Sequence, residues 1–120
     1  NPRKFMKWLK SGKSVMYAID QDYGWDHSVK LQFFNQNAAT ITTTRKIVDA
    51  TNSNLLFINS FYENKKLFLN IELIDHVGLN SEKLAQKIND LMEEKILQHP
   101  AEYLWMHRRF KSTLGKNFYR

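Results

Sequence analysis

The residues best suited to chemistry form two clusters, and the first is a pair of acids with a tyrosine. Asp20, Asp22 and Tyr23 directly follow residues 14–19, SVMYAI, which are apolar on both faces when drawn as a strand. This pattern predicts a strand buried on both sides of an α/β sheet, and ligands gather at the carboxyl ends of such strands. The three residues could orient a substrate hydroxyl, hold a magnesium ion or pair with arginines. The alternative is a loop that carries surface acids.

The second cluster is the segment HPAEYLWMHRRFK, residues 99–111. Pro100 can begin a helix without the loss of a hydrogen bond, so we predict a helix here. At about 100° per residue, Trp105 and Arg109 fall on one face of that helix, where a cation–π contact can form. His107 falls on the opposite, core-like face. We therefore interpret His107 as a hydrogen-bonded core residue rather than a catalyst.

Arg108 and Arg109 have two alternative roles. The guanidinium group suits bidentate recognition of a phosphate or carboxylate. It could equally pair with an acid of the loop at residues 20–26 and so brace the fold. Because Arg109 shares its face with Trp105, we assign Arg109 to a ligand and Arg108 to an internal pair with that loop.

Several catalytic patterns are missing from the sequence. There is no Gly-rich phosphate loop and no G-x-S-x-G motif. The chain has no cysteine, and its four histidines have no metal-ligand spacing, so we expect no metal site. No histidine is followed by an acid five residues later, so the sequence offers no His-x4-Asp/Glu pair as a general base.

The positive charge lies at the two ends of the chain. The 120 residues suffice for one domain and carry a net charge of +6. Residues 1–13 and 107–120 each contain basic residues and no acid, whereas the middle is acidic on balance. Such ends suit a nucleic acid, an anionic membrane, a phosphorylated lipid or an acidic protein.

The hydrophobic pattern predicts an α/β fold with a mixed sheet flanked by helices. Apolar spacing indicates helices over residues 2–11, 38–52 and 81–98, and the last is the clearest because Asn80 or Ser81 can cap it. Residues 29–34 can form a strand or an extended loop. Residues 54–63 and 66–73 have the spacing of a β-hairpin.

Three segments of the chain together resemble one protein family. MYAIDQDYG (residues 16–24), FFNQNAATITTT (residues 33–44) and the 99–111 segment are similar, in order and spacing, to blocks of the bacterial lipid A late acyltransferases. The resemblance covers residues 8–112. Trp25 stands where the family has proline, and Asn35 stands where it has glycine.

The resemblance implies an acyltransferase with a glycerolipid-acyltransferase-like fold and no cofactor. Such an enzyme moves an acyl chain from acyl carrier protein onto the hydroxyl of a hydroxyacyl chain on a phosphorylated, Kdo-bearing lipid A precursor. The family works at the cytoplasmic face of the inner membrane. The basic segment at residues 2–11 suits contact with an anionic membrane surface.

The resemblance also implies where the chain belongs within such an enzyme. The family's catalytic His-x4-Asp/Glu dyad and its membrane anchor lie upstream of these blocks. We therefore expect residues 1–120 to be a single domain, the C-terminal portion of a larger acyltransferase, and inactive alone. We expect no catalytic residue in this chain. Substrate binding is assigned to Asp20, Asp22, Tyr23, Trp105 and Arg109, and structural roles to His107 and Arg108.

Two functions from other classes remain as alternatives. The basic ends would also suit a nucleic-acid-binding module, although no recognition motif appears and we expect no nucleic-acid partner. A non-catalytic lipid-binding domain would explain the missing dyad. Steep weakening of binding by salt would distinguish the nucleic-acid module.

Overall fold

The chain folds into short helices and strands in the order helix, two strands, helix, two strands, two helices. A computed structural model describes residues 2–119. The strands are β1 (Val29–Phe33), β2 (Gln36–Thr40), β3 (Leu56–Glu63) and β4 (Lys66–Leu73). The helices are α1 (Pro2–Lys10), α2 (Thr43–Thr51), α3 (Ser81–Gln98) and α4 (Lys111–Leu114), with single 3-10 turns at Trp25–His27, Pro100–Glu102 and Lys116–Tyr119. The prediction of a mixed α and β fold is confirmed.

The prediction of one mixed sheet is wrong. Within residues 2–119 the strands form two separate antiparallel pairs, β1 with β2 and β3 with β4. Residues 14–19 run between α1 and the first 3-10 turn without joining a sheet. Their burial is also one-sided, because Val15, Tyr17 and Ile19 are half-buried while Met16 is 85% exposed. An apolar sequence can favour an extended backbone, but a strand also needs a neighbour to pair with.

The β1–β2 hairpin replaces the beginning of the predicted helix at residues 38–52. Phe34 and Asn35 form its two-residue turn with φ of 51° and 57°, and this left-handed geometry matches the twist of paired strands. Asparagine tolerates the left-handed region better than most residues, so Asn35 can take the place of glycine. Ala38, Ala39 and Thr40 are consequently buried strand residues, and α2 begins only at Thr43.

The β3–β4 hairpin is confirmed, and one of its faces is apolar and exposed. Asn64 and Lys65 make the turn with φ of 50° and 62°. On the opposite face, Phe61 stacks on the ring of His99 with centroids 3.7 Å apart, and Phe57 packs against the core. The exposed face consists of four cross-strand pairs, Leu56 with Leu73, Ile58 with Ile71, Ser60 with Leu69, and Tyr62 with Leu67.

Helix α3 is confirmed at its predicted bounds and carries most of the core. Its buried stripe packs against Phe33, Ala38 and Ile74. The side chain of Asn80 accepts a hydrogen bond from the backbone N–H of Lys83 at 2.8 Å, which caps the first turn. The buried residues of α3 are Leu84, Ala85, Ile88, Asn89, Met92 and Ile96.

The cap of α3 gives a first testable prediction. Asn80→Ala should lower the free energy of unfolding by about 1 kcal/mol, because one N–H at the helix start loses its acceptor. Asn54→Ala is the matched control, since Asn54 is exposed and its side chain makes no hydrogen bond within residues 2–119. Urea denaturation followed by circular dichroism measures both. Equal stabilities of the two variants would contradict the prediction.

The prediction of a helix over residues 99–111 is wrong. A 3-10 turn ends at Glu102, Tyr103 is extended with φ −81° and ψ 138°, and helix α4 begins only at Lys111. Tight backbone turns lie between them, and the indole N–H of Trp105 donates to the carbonyl of Pro100 at 2.6 Å. Side-chain contacts thus hold this segment in its conformation, and it lacks the successive hydrogen bonds of a helix.

No helix within residues 2–119 combines the length and apolar character needed to cross a bilayer.

Candidate functional site

The carboxylate of Asp22 joins the first sequence cluster to Ser112, the residue that directly follows the second cluster. Asp22 is 4% exposed. Its Oδ1 accepts hydrogen bonds from the backbone N–H of Gly24 at 2.9 Å and from the hydroxyl of Ser112 at 2.6 Å. Its Oδ2 accepts from the backbone N–H of Ser112 at 2.8 Å. Asp22 therefore closes its own turn and also satisfies an otherwise unpaired N–H in the first turn of α4, 90 residues away.

The environment of Asp22 favours its charged form. Burial works against ionisation, but the hydroxyl and N–H of Ser112, the N–H of Gly24 and the charge of Lys111 together outweigh it. The pKa of Asp22 accordingly lies below its ordinary value. The carboxylate is therefore ionised at neutral pH, with its charge used by hydrogen bonds within the protein.

Trp25 adds a second link between the same two segments. Its indole N–H donates to the backbone carbonyl of Ser112 at 2.9 Å. Both backbone polar groups of Ser112 and its hydroxyl are thus bound by the loop at residues 22–25. We call this set of contacts the Asp22–Ser112 clamp. No sequence signal singled out Ser112, because an isolated serine in a basic segment resembles any surface serine.

Arg109 is buried, in contrast to its predicted place on a ligand-facing helix surface. It is 2% exposed, and its guanidinium donates to the carbonyl of Ala39 at 2.7 Å and to the hydroxyl of Thr40 at 2.9 Å. The same group lies 5.1 Å from the ring centroid of Phe33. Burial lowers the pKa of Arg109, although the charges of nearby acidic groups oppose that shift. Arg109 thereby attaches the C-terminal segment to the end of β2.

Arg108 is exposed and makes no ion pair with the loop at residues 20–26 in the described part of the chain. The predicted positions of Arg108 and Arg109 are therefore exchanged. The physical reason is that the segment is a series of turns, so the helical spacing that paired Arg109 with Trp105 does not apply. The assignment of Arg109 to substrate binding stays a prediction, and its observed contacts are structural.

A buried polar network extends from Arg109 to α3. The Nδ2 of Asn89 donates to the carbonyl of Gln32 at 2.8 Å and lies 3.3 Å from the hydroxyl of Thr40. Asn89 is fully buried. The sequence did indicate a buried polar contact at Asn89. This residue lies with Ala85 and Met92 on the apolar stripe of α3, where a polar side chain requires a hydrogen-bond partner.

A cleft of about 1090 Å³ lies between residues 12–20 and β3. Its floor is formed by apolar residues of α3, among them Ile88 and Met92. Asp20 and Tyr103 also line it, and Asp20 is half-buried with no side-chain hydrogen bond within residues 2–119. The cleft therefore brings one acid of the first cluster beside an aromatic residue of the second.

Tyr103 is an un-ionised phenol at any physiological pH. Burial, followed by the negative charge of Asp20, raises the pKa of Tyr103 to about 12. Its hydroxyl is buried and has no hydrogen-bond partner in the described residues. The ring packs edge-on against Trp105 with centroids 5.0 Å apart.

The other predicted site residues lie at the surface or near it. Tyr23 is 49% exposed, with its hydroxyl 3.4 Å from the carbonyl of Ala18. Trp105 is 55% exposed. His107 is half-buried, and its side chain makes no hydrogen bond in the described part of the chain, so the hydrogen bond predicted for it is absent there.

Among residues 2–119 the structure shows no histidine–carboxylate pair of the kind that commonly serves as a general base. The same residues contain no group of three metal-ligating side chains. What the structure brings together is the Asp22–Ser112 clamp, a buried arginine and a cleft lined by Asp20 and Tyr103.

Known proteins with similar sequences give the family. A family model described as bacterial lipid A biosynthesis acyltransferase matches residues 1–112. The lipid A biosynthesis palmitoleoyltransferase of Escherichia coli (strain K12) is 32% identical over 117 residues, 93% of this chain and 38% of that protein. The lauroyltransferase of the same organism is 33% identical over 112 residues, 89% of this chain and 37% of the relative. Its myristoyltransferase is 22% identical over 114 residues, 92% of this chain and 35% of the relative.

The fold and site define a small α/β protein in which polar contacts of Asp22 and Arg109 link segments that are distant in the chain. The chain belongs to the bacterial lipid A biosynthesis acyltransferase family, as the resemblance predicted. It spans 38% of the length of the palmitoleoyltransferase that it matches. Membership in the acyltransferase family does not favour the alternative that the chain is a nucleic-acid-binding module.

Proposed function

We propose that this chain forms the C-terminal portion of an acyltransferase that acts on a lipid A precursor. The enzyme would transfer a fatty acyl chain from acyl carrier protein to the hydroxyl of a hydroxyacyl chain on a Kdo-bearing precursor. The observation that carries this proposal is the family match over residues 1–112. The complete enzyme would adopt a glycerolipid-acyltransferase-like fold, with its catalytic His-x4-Asp/Glu dyad outside these residues.

We propose distinct roles for the two acids of the first cluster, and their different contacts support the distinction. The carboxylate of Asp22 already accepts hydrogen bonds from Gly24 and Ser112, so Asp22 would position the loop at residues 20–26. Asp20 lines the cleft and has a carboxylate without a side-chain hydrogen bond among the described residues. Asp20 is therefore the acid that can accept a hydrogen bond from a substrate.

The surface charge suits the partners of such an enzyme. Helix α1 carries exposed lysines, and the ammonium of Lys4 lies 4.8 Å from the ring centroid of Trp8, which is 40% exposed. An exposed tryptophan among cations favours the headgroup region of an anionic membrane. The phosphates of the precursor and the acidic carrier protein would be attracted in the same way, with Arg108 exposed to meet them. The family resemblance implies the cytoplasmic face of the inner membrane as the location of the enzyme, and the basic surface is compatible with that proposal.

The proposal is tested by an acyl-transfer assay on the complete gene product. The purified protein should add one acyl chain from acyl carrier protein to the Kdo-bearing precursor, detected by mass spectrometry. No transfer with any acyl length would overturn the proposal. The 120-residue chain should be slower by at least about 100-fold, because a positioned base contributes typically 10²- to 10⁴-fold. Equal turnover of the chain alone would contradict the placement of the dyad outside it.

A substitution in the complete protein tests the role of Asp20. Asp20→Asn should lower kcat/KM at least about tenfold, equivalent to about 1.4 kcal/mol of transition-state stabilisation. The melting temperature should change little, because the carboxylate makes no side-chain hydrogen bond in the described residues. Asp26→Asn, at an exposed position of the same loop, is the matched control. Unchanged kcat/KM in Asp20→Asn would remove Asp20 from the site.

A further inference from the structure

The exposed face of the β3–β4 hairpin is unusually apolar for a protein surface in contact with water. Leu56, Leu69 and Leu73 are 52%, 62% and 66% exposed, and they belong to four adjacent cross-strand pairs whose only polar groups are the hydroxyls of Ser60 and Tyr62. Monomeric soluble proteins rarely leave contiguous apolar patches of this kind open to water. The solvent face of an antiparallel pair normally carries polar residues in alternation, and this face lacks them. The pattern is typical of a face that another layer of the protein covers.

The same hairpin has an unpaired backbone edge. The N–H of Ile74 donates to the carbonyl of Leu55 at 2.8 Å. Because hydrogen-bonded and non-hydrogen-bonded pairs alternate along an antiparallel ladder, the polar groups of Leu56, Ile58 and Ser60 point away from β4. These groups have no hydrogen-bond partner within residues 2–119. They face the cleft, which residues 56–60 line.

The opposite wall of the cleft is unpaired as well. Residues 14–20 form that wall. In the described part of the chain, residues 14–23 take part in no backbone–backbone hydrogen bond. Two backbone segments that lack backbone hydrogen bonds on their cleft sides thus face each other, and an unpaired edge of this kind is a template for pairing with another strand. An added strand between the two walls would supply the missing partners.

The unpaired edge decides what kind of molecule covers the hairpin. Lipid tails can cover apolar side chains, but they offer no hydrogen bonds, and open sheet edges do not occur in hydrocarbon. A polypeptide strand provides both backbone hydrogen bonds and apolar side chains. The relatives supply a source for it, since this chain spans 38% of the length of the palmitoleoyltransferase.

We propose that an extended segment of the complete protein, from outside these 120 residues, pairs with the free edge of β3 inside the cleft. The sequence next to that segment packs on the apolar face of the hairpin. The inserted strand would join β3 and residues 14–20 into one larger sheet, with Asp20 at the end of its strand. This inference rests on the family membership and does not require the acyl-transfer activity to be correct.

Thiol labelling of the complete gene product tests the covered face. These 120 residues contain no cysteine, so single cysteines placed here can be identified in the labelled peptides. Leu69→Cys should react with a maleimide at least about tenfold more slowly in the complete protein than in the 120-residue chain. Val77→Cys is the matched control, because Val77 is 83% exposed and lies outside the hairpin. It should react at the same rate in both proteins.

Hydrogen exchange resolved to single residues tests the edge. In the 120-residue chain the amides of Leu56, Ile58 and Ser60 should exchange fast, while those of Phe57 and Asn59 are protected by β4. In the complete protein in detergent both sets should be slow. Fast exchange of the first set there, or fast labelling of Leu69→Cys, would overturn the proposal.

Two further outcomes would also overturn the proposal. Protection in the 120-residue chain that rises with its concentration would identify a second copy as the cover. Protection of the complete protein only after anionic phosphatidylglycerol vesicles are added would identify lipid. Neither result involves acyl transfer, so the proposal can fail while the enzyme function stands.

Discussion

Arg109→Ala should lower the free energy of unfolding by about 3–5 kcal/mol. The substitution removes the donors to the carbonyl of Ala39 and the hydroxyl of Thr40, and leaves a cavity beside Phe33. Chemical denaturation of the 120-residue chain measures the loss. Arg108→Ala is the matched control, because Arg108 is the exposed neighbour, and it should change stability by less than about 0.5 kcal/mol.

A second pair of variants keeps this prediction testable if Arg109→Ala does not fold. Arg109→Lys retains the charge but cannot reach both acceptors with one planar group. Thr40→Val replaces by a methyl group the hydroxyl that accepts from Nη2 of Arg109 and also contacts Asn89 and Ala38. A double-mutant cycle between them should give a coupling of at least about 0.5 kcal/mol. If the two substitutions change the unfolding free energy additively, or if Arg109→Ala is as stable as the wild type, Arg109 does not stabilise the attachment to β2. The assignment of Arg109 to substrate binding would then be favoured.

Asp22→Asn should lower the free energy of unfolding by about 2–3 kcal/mol at neutral pH. The carbonyl oxygen of the substituted side chain can still accept from Gly24 and from the hydroxyl of Ser112, but its amide group then faces the backbone N–H of Ser112. Two donors would meet where the native clamp has a charge-assisted hydrogen bond. Asp26→Asn is the control, because Asp26 is exposed on the same loop and should be nearly neutral in its effect on stability.

The pH dependence of this difference has a defined sign. The pKa of Asp22 is lower in the folded state than its ordinary value, so the unfolded chain takes up the proton first as the pH falls. The stability from ionised Asp22 is therefore fully present above about pH 4 to 5, and is lost as the pH falls through the folded pKa. The unfolding free energies of the wild type and Asp22→Asn should thus converge below about pH 4. A difference that stays constant down to about pH 2 would contradict the assigned clamp.

The sequence by itself determined the elements that depend on near neighbours. Helix α3 has a sustained apolar period and a capping Asn80, so it forms at its predicted bounds. The β3–β4 hairpin was predicted because two apolar runs flank a short polar turn. The three motif segments identified the family, since long and unusual blocks keep their order and spacing. The lack of a His-x4-acid pair is also a property of the sequence alone.

The structure decided every feature that depends on residues distant in the chain. Residues 14–19 look like a buried strand, but strand formation requires a partner that no local pattern contains. Residues 99–111 look like a helix, but contacts of Arg109 with β2 and of Ser112 with Asp22 fix the turns instead. Burial of Arg109 rather than Arg108 follows from those contacts. Local patterns report the intrinsic preference of a segment, whereas the roles of Asp22 and Arg109 depend on hydrogen-bond partners that folding brings from 90 and 70 residues away.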